Sequence, residues 1–510
     1  MIIKKTKIID TKTGKLQGYI EEGVQIFKGI PYAEPPIGEL RLNAPKSKEP
    51  WNDVLQALDY KPVAPQPPPF DDYFPPPPQK EADCLNLNIW TPGCDDMKRP
   101  VLFWIHGGSH IYGSGRLLNG RNITRRGDIV LASINYRLGP LGFLYIPGAP
   151  INMGQLDQIA ALTWVRDNIE LFGGDSNNIT IFGESAGATS VCTLMAMPKA
   201  KNLFHRAISQ SCAAQSQGFD IVTGKTTAEM IFKEINLNLD DLDEFRRLPA
   251  EKIIEALIKA QEKAFLDQKP LEFWPYIDGE ILPQHPIKAI ERGYAKDIEL
   301  IVGTNLEEWK FWRAFEPNFK EIPSSEFRNR IERILNSAGE DGKNIDYIIE
   351  TYKKSREEIN LPITLPEIYE ACMTDSIFRI PSIKFAEAQS KHQKNTYMYL
   401  FNWKTPFDNG NYGAMHALEI SFVFGSFWED YLFTFPKKTD ETEALSEKMM
   451  NAWVSFAKTG NPNHNGIPKW PSYDSEKRNT IIFDKNIELW DDPLSKEREM
   501  WYEMKHWSQF

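Results

Sequence analysis

From residue 100 onward, short runs of apolar residues alternate with segments of helical periodicity, and this alternation constrains the fold more than any other feature. PVLFWIHGG (100–108) and DIVLASINYR (128–137) have the continuous apolar character of strands that are buried on both faces. A helical pattern over 157–173 follows them, and further strands are predicted at 178–183, 205–211, 298–302, 396–402 and 479–484. Such alternation predicts the α/β class, with a mostly parallel central sheet flanked by helices and functional sites at the carboxyl ends of its strands.

The domain organisation follows from the length and from where the helical patterns lie. The chain has 510 residues, enough to bury a large core. Residues 211–378 are mostly helical in pattern and read as an insertion. A late helix is predicted over about 441–458, ending at Gly460. We therefore expect a single α/β domain over 1–510 rather than two separable domains.

Composition and charge exclude several classes of protein. The chain is 41% hydrophobic with a net charge of −11, which gives no reason to expect nucleic acid as a partner. No apolar run approaches the length of a membrane span, and the N-terminal residues lack the pattern of a signal peptide. The five cysteines are not paired as metal ligands, so reduced thiols in a cytoplasmic protein are expected. The sequence calls for no metal and no cofactor.

One segment, PQPPPFDDYFPPPPQ (65–79), is strongly biased toward proline and cannot form a helix or a central strand. It is interpreted as an ordered surface loop, with a polyproline ligand for a partner domain as the alternative. A third hypothesis makes it a stiff rim over a pocket, with Phe70, Tyr73 and Phe74 overhanging the mouth.

The stretch NITIFGESAGATS (178–190) carries an apolar strand into a serine between small residues, and a helical pattern follows at once. Gly-x-Ser-x-Gly alone is a weak signal, but this context is the one that a nucleophile elbow requires. Gly183 and Gly187 leave room for a tight turn in which Ser185 takes a strained conformation. Ser185 is therefore the predicted nucleophile, with a mere packing turn as the alternative.

An elbow serine needs amide donors for an oxyanion and a base for its proton. The donors are expected from the amide of Ala186 and from the glycine-rich loop in WIHGGSH (104–110). Among the eight histidines, His416 lies on a loop after a predicted strand, where a base could reach the serine; the others fit structural roles better. The orienting acid should lie between the serine and the histidine, and both Glu307 and Glu308 qualify.

These residues resemble the type B carboxylesterases, the family that includes bacterial p-nitrobenzyl esterases and animal cholinesterases. The resemblance covers essentially the whole chain. It is carried by FKGIPYAEPPIGELRL, WIHGGSH, INYRLGPLGF, FGGDSNNITIFGESAGA, VGTNLEE, MHALEISFVFG and AKTGNPN, in the family's order. It implies the α/β-hydrolase fold and hydrolysis of carboxylic esters through an acyl-enzyme.

Carried over by position, the resemblance implies Ser185 as nucleophile and His416 as base, and it chooses Glu308 over Glu307 as the orienting acid. The remaining site residues that it implies are the oxyanion amides of Gly108, Ser109 and Ala186 and a hydrogen bond from Ser211 near the acid. It also implies a structural salt bridge between Arg137 and Asp175.

The sequence departs from the family's pattern at several places. Ala82 stands where a glutamate usually pairs with the arginine at position 41, so that contact must be replaced or lost. No cysteine precedes Cys84, so the early disulfide of the secreted members cannot form. Ser109 stands where glycine or alanine is usual and is expected to crowd or tune the oxyanion hole, and Trp309 replaces a glycine and is expected to narrow the gorge.

The predicted substrate is a small-molecule ester. No tryptophan lies between Trp51 and Trp90, where cholinesterases hold the ammonium group by cation–π attraction, which argues against a choline ester. Amide, thioester, feruloyl and carbamate hydrolysis would use the same residues and stay open. The alternative to an enzyme is an adhesion or scaffold protein of the same fold, against which the complete triad argues. A monomer or weak homo-oligomer is expected.

Overall fold

The structure, a computed structural model, describes residues 4–68, 77–116, 118–212, 221–266, 271–316, 318–337, 345–429 and 433–504. The chain divides into two compact units. The first unit comprises Met1–Ile208 with Gln217–His285, and the second comprises Ser209–Ser216 with Pro286–Phe510.

The first unit contains most of the strands. They are β1 (Ile9–Thr11), β2 (Gly14–Gln17), β3 (Tyr19–Glu21), β4 (Val24–Pro31), β5 (Leu55–Gln56), β6 (Asn86–Thr91), β7 (Arg99–Ile105), β8 (Val130–Ile134), β9 (Gly174–Glu184) and β10 (Arg206–Gln210), the last of which carries the chain into the second unit. Its helices are α1 (Arg121–Gly127), α2 (Gly139–Gly142), α3 (Met153–Asn168), α4 (Ala186–Leu194), α5 (Ile221–Glu234), α6 (Leu242–Arg247) and α7 (Ala250–Leu266).

Parallel pairing is concentrated where the first unit is most buried. β7 pairs in parallel with both β8 and β9, and all five residues of β8 are buried, as expected for a strand covered on both faces. On the far side of β8 the pairing becomes antiparallel, through β6, β4 and β3 in that order. β1, β2 and β5 form a separate small sheet.

The second unit contains four further strands, β11 (Glu299–Asn305), β12 (Thr396–Phe401), β13 (Asn479–Phe483) and β14 (Glu488–Asp491). Their order across the sheet is the same as their order along the chain. The first three are parallel and β14 is antiparallel to β13. Its helices are α8 (Pro286–Glu291), α9 (Ser324–Ser337), α10 (Ile345–Glu357), α11 (Leu365–Thr374), α12 (Ile380–Ser390), α13 (Leu418–Phe424), α14 (Asp440–Thr459) and α15 (Ser495–Tyr502). A π-helical stretch (Asp375–Arg379) joins α11 to α12.

The predicted strands at 100–108, 128–137, 178–183, 205–211, 298–302, 396–402 and 479–484 are all present, as β7 to β13, within a few residues. α14 begins with a capping box at Thr439 and Thr442 and ends at Gly460, whose φ of 74° is the left-handed cap that the sequence predicts. In the described part of 211–378, β11 is the one strand of four or more residues among helices α5–α11. That the chain forms a single domain with this insertion stays a prediction.

One predicted contact is wrong. Arg137 pairs with Asp157 rather than with Asp175, through two hydrogen bonds of 2.7 Å from its guanidinium and one of 3.0 Å from its amide. Asp157 is completely buried on α3, where a guanidinium can satisfy both carboxylate oxygens. Asp175 lies at the start of β9 and accepts instead from the amide of Asn177.

The contact left open by Ala82 is replaced. Arg41 forms a buried bidentate ion pair with Glu81, one residue earlier than the family's glutamate, and its Nε donates to Oε1 over 2.7 Å. A short 3-10 turn (Glu81–Asp83) places this carboxylate. The guanidinium also donates to the carbonyl of Arg246 over 2.9 Å, which anchors the turn that precedes α7.

Candidate active site

The elbow lies where β9 passes directly into α4. Ser185 takes φ 56° and ψ −121°, a conformation that costs a non-glycine residue about 1–3 kcal/mol. A Cβ atom added to Gly187 would lie 2.1 Å from the carbonyl oxygen of Ile105, and one added to Gly183 would lie 2.6 Å from the carbonyl of Gly187. Glycine is therefore required at both positions, because neighbouring backbone atoms leave no room for a Cβ atom. The first amides of α4, beginning at Ala186, point back toward the serine.

The loop that follows β7 holds three consecutive residues in the left-handed region. Gly108 has φ 102°, Ser109 has φ 55° and His110 has φ 57°. For the two non-glycine residues this conformation costs roughly 1–2 kcal/mol each. The turn is closed by hydrogen bonds from the amides of Ile111 and Tyr112 to the carbonyl of Gly108, at 2.9 and 2.8 Å.

This loop lies directly against the elbow. A Cβ atom on Gly107 would lie 2.6 Å from the carbonyl oxygen of Glu184 and 3.1 Å from the Cβ of Ser185. His106 packs on Tyr136 with ring centroids 4.4 Å apart, and its Nδ1 lies 2.9 Å from the Gly107 carbonyl. Burial lowers the pKa of His106 to about 4, so the ring is neutral at pH 7 and shapes the loop without acting as a base.

In the second unit, Glu308 and His416 are in contact. Nδ1 of His416 lies 2.6 Å from Oε2 of Glu308, and the carboxylate has no exposed surface. Oε1 accepts from the hydroxyl of Ser211 over 2.6 Å and from the amide of Asn305 over 2.7 Å. Because a carboxylate can only accept, neutral His416 carries its proton on Nδ1, and Nε2 is the nitrogen with a lone pair.

The other acid that the sequence left open, Glu307, points away from His416. It forms an ion pair with Lys310 over 2.7 Å and accepts from the amide of Ala414 over 3.0 Å. Burial raises its pKa, but the cations Lys310 and Lys404 outweigh that effect and hold the pKa of Glu307 below its usual value. Glu307 therefore fixes the loop that carries His416 and does not touch the ring.

Glu307 belongs to a buried ionic cluster, which we define as Glu307, Lys310, Arg313, Glu367 and Glu370. Lys310 lies 3.0 Å from Glu367, and Arg313 lies 2.8 Å from Glu367 and also forms an ion pair with Glu370. Arg313 further donates to the carbonyl of Asn411 over 2.7 Å. The cluster thus connects three segments, the 3-10 helix Glu308–Phe315, helix α11 and the loop before His416.

Aromatic rings surround His416. The nearest centroids are those of Phe378 at 4.8 Å, Trp312 at 5.2 Å and Phe311 at 5.8 Å. Trp309 stacks on Trp312 with centroids 4.4 Å apart and is half-buried. That Trp309 narrows the approach to the site stays a prediction.

Sequence reasoning missed a second buried carboxyl group. Glu419 lies three residues after His416 on α13 and accepts from the side-chain amides of Gln210 over 3.0 Å and Asn305 over 2.8 Å. Burial and the charge of Glu308 raise its pKa. A lone acid in the apolar run ALEISFVFG, one helical turn from the predicted base, was the available signal.

The ends of the proline-rich segment are tied down near the glycine-rich loop. The Gln66 amide donates to the side chain of Gln79 over 2.9 Å. The Gln66 side chain exchanges two hydrogen bonds with Gly113, at 2.8 and 3.0 Å. The residues of the rim hypothesis, Phe70, Tyr73 and Phe74, lie outside the described residues.

The five thiols, Cys84, Cys94, Cys192, Cys212 and Cys372, are all buried, and none of them is in a disulfide bond. In the ranges that the structure describes, no cluster of three or more His, Cys, Asp or Glu side chains is arranged to hold a metal ion. None of the helices in those ranges combines the length and the apolar character needed to cross a bilayer.

A serine at a strand–helix elbow after parallel strands, together with a buried acid–histidine pair, defines the α/β-hydrolase class. The sequence profile of the carboxylesterase family matches residues 5–501, and the chain belongs to that family. It is therefore a carboxylic-ester hydrolase, which confirms the enzyme interpretation over that of an adhesion or scaffold protein.

Individual relatives agree with this assignment. The chain is 36% identical to the para-nitrobenzyl esterase of Bacillus subtilis, over 98% of this chain and 99% of the relative. It is 34% identical to the phenmedipham hydrolase of Pseudarthrobacter oxydans, over 93% and 94% of the two chains. The solved structure of a Geobacillus stearothermophilus carboxylesterase matches with a TM-score of 0.85 and 35% identity, covering 97% of this chain and all of that one. The predicted α/β-hydrolase fold, with its mostly parallel sheet flanked by helices, is confirmed.

Proposed function

We propose that the chain hydrolyses carboxylic esters through an acyl-enzyme on Ser185, with His416 as base and Glu308 as the acid that orients it. The observation that carries the proposal is the 2.6 Å hydrogen bond between Nδ1 of His416 and the fully buried carboxylate of Glu308. This bond selects the tautomer in which Nε2 can accept a proton.

In the first half-reaction, Nε2 of His416 takes the hydroxyl proton of Ser185 while Oγ attacks the ester carbonyl. The carbonyl π electrons move onto oxygen, and the amides of Gly108, Ser109 and Ala186 stabilise the resulting oxyanion. One such donor contributes about 3–4 kcal/mol of barrier lowering. His416 then returns its proton to the leaving alcohol as the C–O bond breaks.

In the second half-reaction, water takes the place of the alcohol. His416 accepts a proton from the water as the hydroxide oxygen attacks the acyl carbon, and the Ser185 oxygen leaves and recovers its proton. Ser211 acts indirectly, since its hydrogen bond helps to hold the Glu308 side chain in place. None of these steps requires a metal or a cofactor.

The proposed substrate is a small-molecule ester. Relatives named as a para-nitrobenzyl esterase and a phenmedipham hydrolase make a para-nitrobenzyl ester and phenmedipham the first substrates to be tried. Amide, thioester, feruloyl and carbamate hydrolysis stay open as side activities. We also propose a monomer or weak homo-oligomer that does not bind nucleic acid, in keeping with the net charge of −11, and a cytoplasmic location, which the five buried thiols support.

The test is hydrolysis of p-nitrophenyl acetate, butyrate and octanoate by the wild type and by Ser185→Ala. We expect a burst of p-nitrophenol in the wild type and its loss in the variant, and a phosphonate probe should label the peptide that contains Ser185. Ser176→Ala is the matched control, because Ser176 lies on β9, the strand that leads into the elbow, and its hydroxyl donates to Glu170 over 2.7 Å. Equal rates for Ser185→Ala and the wild type would refute the proposal.

A further inference from the structure

Among the three consecutive left-handed residues of the glycine-rich loop, His110 carries the side chain that is held by buried hydrogen bonds. The ring has no exposed surface. Its Nδ1 lies 2.9 Å from the carbonyl oxygen of Phe273, and its Nε2 lies 3.2 Å from the hydroxyl oxygen of Ser190. One face stacks on Phe143, with ring centroids 4.3 Å apart.

The donors and acceptors around the ring can be satisfied by a neutral histidine. The carbonyl of Phe273 can only accept, so the proton of His110 lies on Nδ1. The Ser190 hydroxyl oxygen already accepts from the side-chain amides of Gln155 and Gln158, at 2.9 and 3.0 Å. Its own hydrogen is therefore donated to Nε2 of His110. Burial lowers the pKa of His110 to about 4, against the smaller effects of the Phe273 and Ala186 carbonyls.

Ser190 lies on α4, four residues after Ala186, which places it one helical turn from the elbow. The hydrogen bond between His110 and Ser190 thus joins the two segments that supply the oxyanion amides. His110 is also held through its backbone, because the Gly139 amide donates to the His110 carbonyl over 2.6 Å.

We infer that His110 is a positioning residue for the oxyanion hole, tying the left-handed loop of Gly108 and Ser109 to helix α4 through Ser190. The inference rests on the proposed function, because it takes these amides as the oxyanion donors. A strained backbone persists only where its surroundings over-determine it, and the buried bonds of His110 supply that constraint. Histidine tolerates the left-handed region better than most residues, which suits it to this position.

Packing alone would not account for the residue. A phenylalanine would fill the same volume and stack equally well, whereas a buried imidazole is costly unless both of its nitrogens are hydrogen-bonded. At His110 both nitrogens have partners, and these partners belong to different segments of the chain.

The test removes the hydrogen bond between His110 and Ser190 by changing either partner, with His110→Asn and Ser190→Ala. Asparagine accepts the left-handed conformation and can still donate to the Phe273 carbonyl, so the variant removes chiefly the bond to Ser190. Ser190→Ala leaves the loop itself unchanged. For each variant, kcat and KM on p-nitrophenyl butyrate are measured, together with inhibition by an alkyl trifluoromethyl ketone and by the methyl ketone of the same chain length.

A displaced oxyanion donor lowers kcat by about 10–100-fold in either variant and leaves KM within about threefold. The trifluoromethyl ketone forms a hemiketal oxyanion on the serine, so its inhibition constant rises by the same factor as kcat/KM falls. The methyl ketone inhibits as before. The double variant loses little more than the single ones, because both remove one interaction.

The matched control is His205→Asn. His205 also has a ring nitrogen bonded to the backbone, accepting from the Ile179 amide over 3.2 Å, but this amide lies in the middle of β9, away from the glycine-rich loop and α4 in sequence. This variant keeps the wild-type kcat and the wild-type ratio of the two inhibition constants. If His110→Asn does not fold, Ser190→Ala carries the test alone.

The inference is overturned if the ratio of the two inhibition constants stays at the wild-type value in both His110→Asn and Ser190→Ala. It is equally overturned if both ketones lose affinity together, since that result indicates a general distortion. Failure of the proposed function gives a different result. Ser185→Ala would then retain hydrolysis, and the inference, which rests on that function, would fall with it. An inactive Ser185→Ala with an unchanged ketone ratio refutes the positioning role alone.

Discussion

The carboxylate of Glu308 lies 2.6 Å from Nδ1 of His416 and has no exposed surface. Two more donors, the Ser211 hydroxyl and the Asn305 amide, converge on its other oxygen. A carboxylate held by three donors cannot rotate freely, so it fixes the plane of the imidazole as well as its tautomer. The adjacent Glu307 is equally buried but is engaged by Lys310, which makes the two glutamates a natural pair for comparison.

We expect Glu308→Gln to lower kcat by about 10³–10⁴-fold, because an amide donor facing Nδ1 forces the proton of His416 onto Nε2. Glu307→Gln removes a loop contact without changing the tautomer, and we expect it to lower kcat by at most about tenfold. Steady-state kinetics on p-nitrophenyl butyrate compare the two variants. Equal losses in both would contradict the assignment of separate roles.

Gly187→Ala should abolish most of the activity. The added methyl group would lie 2.1 Å from a backbone carbonyl, that of Ile105, so α4 must move away from β7. A displacement of about 1 Å at the nucleophile costs on the order of 100-fold in rate. Gly23→Ala is the control: its Cβ meets nothing within 4 Å, so the variant carries only the strain of alanine at φ 82°, about 1–2 kcal/mol. It should retain full activity, and a fully active Gly187→Ala would show that the elbow tolerates a wider turn.

Lys310→Met should destabilise the second unit strongly. The substitution leaves the buried carboxylate of Glu307 and the partly exposed one of Glu367 without this cation, and breaking a buried pair such as Lys310–Glu307 costs about 3–5 kcal/mol. Lys353→Met removes an exposed pair with Glu350 and should cost less than about 1 kcal/mol. Urea unfolding gives both free energies, and similar values for the two variants would show that the ionic cluster contributes little.

The stability of the protein should depend on pH through Glu497. This carboxyl is buried beside Asp375 and Arg379, and burial raises its pKa from 4.5 to about 8. Between those values the folded state keeps a proton that the unfolded chain has released, so its contribution to the free energy of unfolding falls as pH rises from 4.5 to 8.

Glu497→Gln should flatten the dependence of the free energy of unfolding on pH across this window. Glu499→Gln, an exposed neighbour on α15, should follow the wild-type curve. The free energy of unfolding of both variants, measured by chemical unfolding at half-unit steps of pH, distinguishes these two outcomes. A Glu497→Gln curve parallel to that of the wild type would mean that the carboxyl is ionised throughout.

The parts of the fold that the sequence predicts are those with continuous apolar runs. β8 is buried throughout, β7 nearly so and β9 from Ile179 onward, and these stretches could be recognised by that character alone. The antiparallel strands β3, β4 and β6 were not predicted. β3 has only three residues, β4 has a shift of register between Phe27 and Ile30, and β6 reads NLNIWT, in which polar residues interrupt the apolar run.

The residues of the candidate site could be proposed from the sequence in type and order, but their contacts could not. Whether Glu307 or Glu308 faces the histidine depends on side-chain direction, which two adjacent glutamates cannot reveal. The partner of Arg137 was predicted wrongly, since ion pairing between distant segments depends on tertiary placement. The sequence assigns His110 only a structural role, since its bond to Ser190 depends on how close α4 comes to the loop.

The three left-handed residues Gly108, Ser109 and His110 also restrict how this enzyme can be evolved. β-Branched side chains are strongly disfavoured at positive φ, so random libraries at positions 109 and 110 will return few active clones with valine, isoleucine or threonine. Directed evolution toward new esters should therefore vary positions outside this loop. The rings of Phe311 and Trp312 beside His416 lie on a short helix without this restriction, and libraries there should keep more of their members active.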